Sequence, residues 1–495
     1  MPAQLRAYLP YVMLVFALMS QGLRNSSFFT YTGHDRNQQI GAAYSFLSGE
    51  GLTQAVYAQG QVTKHEVKGW PPAYAYLFAG LLAVSDLSPF LLAELLSICG
   101  LTACMLAAWC LLSVLDASRK LHMIWFGFQI VAFSPFHYTT ASGEFALAFF
   151  LLGLAALLAS KPKGKLALGC FLLAALFRYA YWPLLLLPVL LSWRTPKRAV
   201  AYLTGAGTLL IVLSVLLWPE HSDGSDLSSL FSGELYWDQL LQIDAFPVKA
   251  FFYLSLLGLS NKIAISAVVL WTIKILFLGF SLLIGYLLLR SWKAGDKAFP
   301  EGIAATVLLL PGLLCSLSVL RPAEVHDGSF AWTFVMETRY YAPLLVLIQM
   351  FVMRYWLGVR KRLMALLLGA ALLYGGLHTS HRLYQLWGKN NPRESRFEPL
   401  EQHLLYVYQA ISETTHKRVF AHGDLIWEDD ESRIAGWAGA AVSTFESVLN
   451  HPPSEDFVLF WSDTKAPPAL LNRDWQMIRQ TKERQLWKGE WKAKK

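Results

Sequence analysis

Long apolar blocks, broken by short charged stretches, restrict what this chain can fold into. Residues 7–24, 88–115, 143–160, 166–192, 199–218 and 264–289 are nearly free of charge. Several of these blocks are long enough to cross a hydrocarbon core of roughly 30 Å. Composition agrees. The 495 residues are 55% hydrophobic and only 15% charged, whereas soluble domains carry about a quarter charged residues. The first block is not followed by a convincing small-residue cleavage site, so it reads as a retained helix rather than a signal peptide. The net charge of +8 does not point to nucleic acid, because the basic residues punctuate the apolar blocks. Cys99, Cys104, Cys110, Cys170 and Cys315 all fall inside apolar blocks. They read as small buried hydrophobes with no disulfide framework.

Basic clusters face the cytoplasm in membrane proteins. Five clusters meet the description: Arg119-Lys120; Lys161, Lys163 and Lys165; Arg194, Lys197 and Arg198; Arg290, Lys293 and Lys297; and Arg360-Lys361-Arg362. Placing all of them inside sends 7–24 out, 88–115 in, 121–136 out and 143–160 in. Residues 166–192 have basic flanks at both ends, so they must rise and return as a broken hairpin. Its turn falls at Phe177 to Pro183, where proline interrupts the helix. The blocks 199–218, 264–289, 302–320, 340–358 and 363–378 complete the path, giving about eleven crossings and an outer C-terminus. The block 73–85 is short for a span and reads as a helix in the outer leaflet. The longer loops then share the outer side: 25–87, 137–142, 219–263, 321–339 and the tail from 379. Chemistry belongs on that face.

The tail, 379–495, is polar. It predicts a helix from Glu398 to Ser412, a turn at His422-Gly423-Asp424, a strand from Asp456 to Trp461 and a basic end. The expected fold class is therefore an all-α polytopic membrane protein with a small α/β extracytoplasmic C-terminal domain. Residues 1–378 form the membrane domain, with 25–87 as its outer catalytic loop, and 379–495 form the second domain.

One acidic loop residue stands out. Gly33-His34-Asp35-Arg36 follows the first block and precedes a helical stretch, Asn37 to Ser48. Asp35 would sit near a helix N-terminus, either as a cap or as a base at the water–lipid boundary. Further on comes Lys64-His65-Glu66-Val67-Lys68, then Trp70-Pro71-Pro72-Ala73-Tyr74. Two prolines fix the chain and start a helix. Lys68 beside that helix suits a lipid-linked phosphate, or is a solvated loop charge. His34, His65, His137 and His326 lack zinc spacing. The stretch Glu234 to Asp238 reads as part of an interfacial aromatic belt.

Four places resemble the GT-C class of polytopic glycosyltransferases, which take sugars from polyprenyl-phosphate carriers. They are Gly33-His34-Asp35-Arg36 with Tyr44, Phe46, Gly49 and Gly51 following; Pro71-Pro72-x-Tyr74; Ser134-Pro135 through Ser142-Gly143-Glu144; and Thr338-Arg339-Tyr340-Tyr341-Ala342-Pro343. The resemblance implies Asp35 as catalytic base. It implies Glu144 as an acceptor-orienting or metal-binding catalytic group, and Arg178, Arg339 and Lys68 as ligands of the donor phosphate. His34, Glu66 and Tyr74 are the implied substrate-binding residues. The donor would be a polyprenyl-phosphate sugar, and the acceptor a hydroxyl of a glycan, lipid or protein. The setting would be a bacterial inner membrane with the active site facing the periplasm. The chain departs from the class in one respect, because Asp35 has His34 and Arg36 beside it rather than a second carboxylate. A divalent cation, magnesium or manganese, would therefore need Glu144, Glu66 or a distant carboxylate to complete its oxygen shell. The competing readings are a transporter or flippase of an amphiphile, which should show repeated halves and charges near the bilayer midplane, and a non-catalytic scaffold. The sequence shows no repeated halves, and its charges lie at block ends.

Overall fold

The structure, a computed structural model, describes residues 3–28, 34–58, 61–67, 71–115, 119–131, 141–192, 194–217, 267–295, 299–309, 324–326, 329–331, 341–359, 406–414, 418–422, 430–438, 440–450, 457–463, 475–480 and 485–491. Wherever an apolar block falls on these residues it is helical; 363–378 lies outside them. The helices are α1 (Ala3–Phe28), α2 (His34–Leu47), α3 (Ala73–Val84), α4 (Pro89–Leu115), α5 (Lys120–Val131), α6 (Ala141–Leu158), α7 (Gly164–Phe177), α8 (Leu187–Leu191) and α9 (Pro196–Leu217). After these come Ala267–Lys293, 299–309 and Ala342–Val359. Among the described residues α4 alone is both long and apolar enough to cross a membrane, with a mean hydropathy of 2.2 over its best window. The other apolar stretches of the described residues, among them Tyr8–Gly22, Ser142–Leu158 and Ala342–Tyr355, are shorter.

The chain divides into two compact units, each assembled from separated segments. One holds Met1–Phe28 and Leu96–Arg382, the other Phe29–Leu95 and Leu383–Lys495. The loop read from the sequence as an outgrowth of the membrane domain thus clusters with the tail.

In the first unit, helices pack through small residues and buried polar groups. Gly153 on α6 is one such place. A β-carbon there would come within 2.7 Å of the Phe171 ring on α7, so glycine sets how closely the two helices approach. Across α1 and α5, Ser20 Oγ and Gln21 Nε2 donate to the carbonyls of Ile130 and Gln129. Gln129 Nε2 in turn donates to Gln349 Oε1 at 3.1 Å. Such side chains fasten apolar helices together where water offers no alternative partner. Cys104 is buried, but Cys99 and Cys110 are exposed along α4, contrary to the expectation of five buried thiols. A long helix that packs on one side leaves its other face uncovered. The break in 166–192 falls at Arg178, as the proline pattern predicts, but the segment beyond it is not a second full helix. Tyr179–Leu186 winds as a 3-10 helix containing Pro183, and α8 adds only five residues. Pro183 and Pro188 each lack an N–H, which prevents a continuous α-helical ladder.

The second unit is built on a seven-stranded sheet of order β2-β1-β6-β5-β7-β9-β8. Its strands are β1 (Thr53–Ala58), β2 (Gln61–Glu66), β5 (Arg418–His422), β6 (Ala441–Thr444), β7 (Phe457–Asp463), β8 (Trp475–Gln480) and β9 (Gln485–Trp491). A separate pair, β3 (Glu324–His326) and β4 (Ser329–Ala331), lies in the first unit's segment. Strands β1, β6, β5 and β7 run parallel, while β2, β9 and β8 complete the edges antiparallel. A parallel core buries both faces, and the alternation in β5 and β7 serves both. Val419, Ala421 and Leu459 enter one cluster. Phe420, Val458 and Phe460 enter the other, with Val407 and Ile411 from helical residues 406–412. The strand expected at 456–461 is β7. Part of the basic end is a strand, since Gln485–Trp491 pairs along the whole of β7. Residues 398–405 and the turn at Gly423-Asp424 lie outside the described residues.

The hairpin β1–β2 is fixed to this sheet by its partner strand and its side chains. Val56 stands opposite Val442, and Ser443 Oγ donates to the Tyr57 carbonyl at 3.0 Å. The Tyr57 side chain is buried among Val419, Ala441 and Leu459, and burial pushes its hydroxyl up to about 12. The unfolded chain releases that proton near pH 10, so the folded state alone holds it above this pH. Stability from this group is complete below pH 10 and falls by at most about 1.4 kcal/mol per pH unit as pH rises toward 12. Thermal unfolding between pH 9 and 12 should show this decline in wild type and a shallower one in Tyr57→Phe. Parallel declines in the two proteins would remove Tyr57 as its cause.

Candidate active site

His34 and Asp35 are the first two residues of α2, so the helix begins three residues before the Asn37 expected from the sequence and Asp35 lies inside its first turn. A carboxylate in the first turn is favoured by the helix dipole. The far end of α2 is closed by glycine. Glu50 N–H donates to the Ser45 carbonyl at 2.9 Å and Gly49 N–H to Phe46 at 3.0 Å, the paired bonds of a Schellman motif. Gly49 and Gly51 have φ of +78° and +72°, a left-handed backbone that β-carbons disfavour. These two glycines therefore end α2 and turn the chain into β1, which ties the helix carrying Asp35 to the sheet.

The Pro-Pro element also behaves as its sequence dictates. Pro72 caps α3 at φ −78° and its carbonyl receives the Tyr76 N–H at 3.0 Å. Tyr74 is fully buried, against Phe78 at 6.2 Å between ring centroids. Phe46 of α2 meets Tyr76 of α3 edge-on at 5.0 Å. Glu66 is the last residue of the edge strand β2, opposite Thr53, and is exposed. Beside it Lys64 pairs with Glu50 at 2.7 Å. Lys68 and Arg339 lie outside the described residues.

Two further expected residues are buried in the first unit. Glu144 is in the first turn of α6 and Arg178 caps the C-terminus of α7. The start of one helix lies against the end of the other, since Phe177 stacks on Phe145 at 5.3 Å and on Phe149 at 5.9 Å. Glu144 is 1% exposed and Arg178 2% exposed. Cys104 Sγ donates to the Glu144 carbonyl at 2.8 Å, and the buried Tyr181 lies within electrostatic reach of both Cys104 and Arg178. Each charge sits at the helix end its sign prefers. The Arg178 backbone is extended, at φ −151° and ψ 128°, because the chain must leave α7 before the 3-10 turn begins. A carboxylate and a guanidinium within a few residues of one aromatic stack, in apolar surroundings, can hold and polarise an anionic or hydroxylic group there.

The second unit also contains a cleft of about 290 Å³ that no sequence pattern announced. It lies among α2, β1, β5 and the helix Asp430–Trp437, and its lining includes Gln38, Tyr44, Ser45, Gln54, Arg418 and Trp437. Arg418 Nη1 donates to the carbonyls of Ile411 and Ala438, both at 2.7 Å, and burial lowers its pKa from the ordinary guanidinium value. Tyr44 shares a 3.2 Å hydroxyl contact with Tyr408. Burial first, then that hydrogen bond, pushes the Tyr44 hydroxyl far above the usual tyrosine range, so it stays neutral. Only Tyr44 among these residues belonged to a motif legible in the sequence. The lining comes from two segments far apart in the chain, one at 38–55 and one at 418–440. Among the described residues, no three His, Cys, Asp or Glu side chains stand together to hold a metal ion.

No family model matches the chain, and no curated protein matches it. Among solved structures it is similar to the crystal structure of ArnT from Cupriavidus metallidurans bound to undecaprenyl phosphate. The identity is 12%, with 99% of this chain and 98% of that one covered and a TM-score of 0.38.

Proposed function

We propose that the chain is a multi-pass glycosyltransferase of a bacterial inner membrane. It moves a sugar from a polyprenyl-phosphate carrier to an acceptor hydroxyl on the periplasmic side. The observation that supports this most is the burial of both Glu144 and Arg178 among apolar helices, at 1% and 2% exposure. Ionisable groups in such surroundings are costly to keep and default to a functional role. The motif order around Asp35, Tyr74, Glu144 and Arg339 supports the same reading.

In this mechanism Asp35 takes the proton of the acceptor hydroxyl. The hydroxyl oxygen forms a bond to the anomeric carbon from the face opposite the carrier. The bond from that carbon to the phosphate oxygen breaks, and polyprenyl phosphate leaves with the electron pair. Arg178, Arg339 and Lys68 stabilise the charge that develops on the phosphate, a guanidinium fork being matched to its oxygens. Glu144 orients the acceptor. His34, Glu66 and Tyr74 contribute to substrate binding, and the tail with loop 25–87 forms the extracytoplasmic side. If a divalent cation takes part, Glu144 or Glu66 would be among its oxygen ligands.

The test is to reconstitute the protein in lipid with polyprenyl-phosphate sugars labelled in the sugar, adding cell-envelope extract as acceptor. Label should move to an acceptor with its anomeric configuration inverted. Retained configuration would exclude direct displacement with Asp35 as base. Intact donor crossing the bilayer without cleavage would make the protein a flippase.

A further inference from the structure

We propose that the cleft of the second unit is a saccharide-binding site, which, on the glycosyltransferase reading above, holds one sugar ring of the acceptor. Its volume of about 290 Å³ is at the lower end of small-ligand sites, which run from about 300 Å³ upward. That suits a single ring rather than a nucleotide or a lipid chain. The polar lining is mostly neutral, with the amides of Gln38 and Gln54 and the hydroxyls of Tyr44 and Ser45. Amides and hydroxyls each donate and accept, as do the adjacent hydroxyls of a pyranose. The lining sets one cation, Arg418, beside one carboxylate, Glu50, and Arg418 Nη1 is already committed to two backbone carbonyls. An anion is therefore not the expected occupant.

The walls are held in place before any ligand arrives. Arg418 is fixed by two carbonyls and Tyr44 by Tyr408. Fixed partners reduce the ordering cost of binding. Gly41 lines the same cleft. A β-carbon there would lie 3.7 Å from Trp437 Cδ1, so a methyl fits at ordinary contact distance and a longer side chain would occupy the cleft.

The cleft has a defined relation to Asp35 along one helix. Gln38, Gly41 and Ser45 line it as a stripe on one face of α2, with Ser48 just past the helix end. His34 occupies the next position up that stripe, beside Asp35. The middle of the stripe lies about 12 Å along the helix axis from Asp35. A ring bound there is too far away to carry the attacking hydroxyl. It would be a neighbouring residue of the same acceptor, so the cleft selects which acceptor is presented.

The full-length protein in lipid nanodiscs should transfer saturation, in ligand-observed NMR, to at least one free pyranose from a panel of a hexose, an N-acetylhexosamine and an aminopentose. Asp35→Asn and Gly41→Ala should bind as wild type does. Gly41→Leu, which fills the cleft, and Ser48→Trp, which covers it from its exposed rim, should both lose the signal. Signal that survives both variants, or no signal from any pyranose, would overturn the proposal. Binding is read without transfer, so an active Asp35→Asn enzyme would defeat the proposed base while leaving this site standing.

Discussion

Asp35→Asn should abolish sugar transfer while the protein folds and binds its donor normally. Asparagine keeps the shape of the side chain and removes its ability to accept a proton. General-base catalysis of this kind contributes about 10²- to 10⁴-fold in rate, and here it is assigned to one carboxylate. The fold should tolerate the change. A first-turn carboxylate such as Asp35 in α2 interacts with the helix dipole for roughly 1 kcal/mol or less. The helix is held at its other end by the Schellman bonds at Gly49 and by packing of Gly41 and Tyr44 against the tail. The loss should therefore appear in kcat, with the donor KM little changed. Transfer by Asp35→Asn at a rate near wild type would return Asp35 to the role of a helix-terminal residue.

The second large effect is expected at Arg178. Arg178 is 2% exposed at the junction of α7 and the 3-10 turn. Lysine there preserves the charge but offers a point rather than a planar fork. Removing one preorganised donor from a developing anion costs about 10² to 10³ in rate. Arg178→Lys should thus lose about that factor in kcat/KM for the lipid-linked donor while eluting as a folded protein. Glu144→Gln in the same assay separates the partners, since acceptor orientation should raise the acceptor KM and leave the donor KM alone. Full activity in Arg178→Lys would detach this arginine from the phosphate.

The helical part of the fold was legible because its signal is local. Apolar blocks such as 88–115 and 143–160 coincide with α4 and α6, and the Pro183 break falls where the pattern puts it. Asp35 at a helix start and Pro72 as the cap of α3 could be read for the same reason. The sheet was hidden because its pairing is not local. Thr53–Ala58 and Gln61–Glu66 are short strands, the second largely polar, whose place in the sheet depends on β6, nearly four hundred residues later in the chain. Strand β9 was concealed by lysines that make its sequence look like a solvated tail, although Leu486 and Gly489 are buried. The cleft was illegible for the same reason as the sheet. Gln38, Gln54, Arg418 and Trp437 carry no common motif, and only the docking of α2 on the tail helices brings them together.

The placement of Glu144 and Arg178 was half legible. The sequence puts Glu144 at the outer end of an apolar block, where snorkelling side chains also sit, and Arg178 at the break inside the block 166–192. It did not say that the start of α6 lies against the end of α7. The stack of Phe177 on Phe145 and Phe149 does that, and burial of both charges beside it rules out the snorkelling alternative within this unit.

The central claim is that a polyprenyl-phosphate carrier is cleaved, and the most direct measurement tracks the carrier itself. Purified protein in lipid would be supplied with each polyprenyl-phosphate sugar together with envelope extract, and free polyprenyl phosphate would be quantified against labelled acceptor. Release is expected with at least one donor, in a one-to-one ratio with acceptor labelling. Folded protein that releases no polyprenyl phosphate from any donor would contradict the claim.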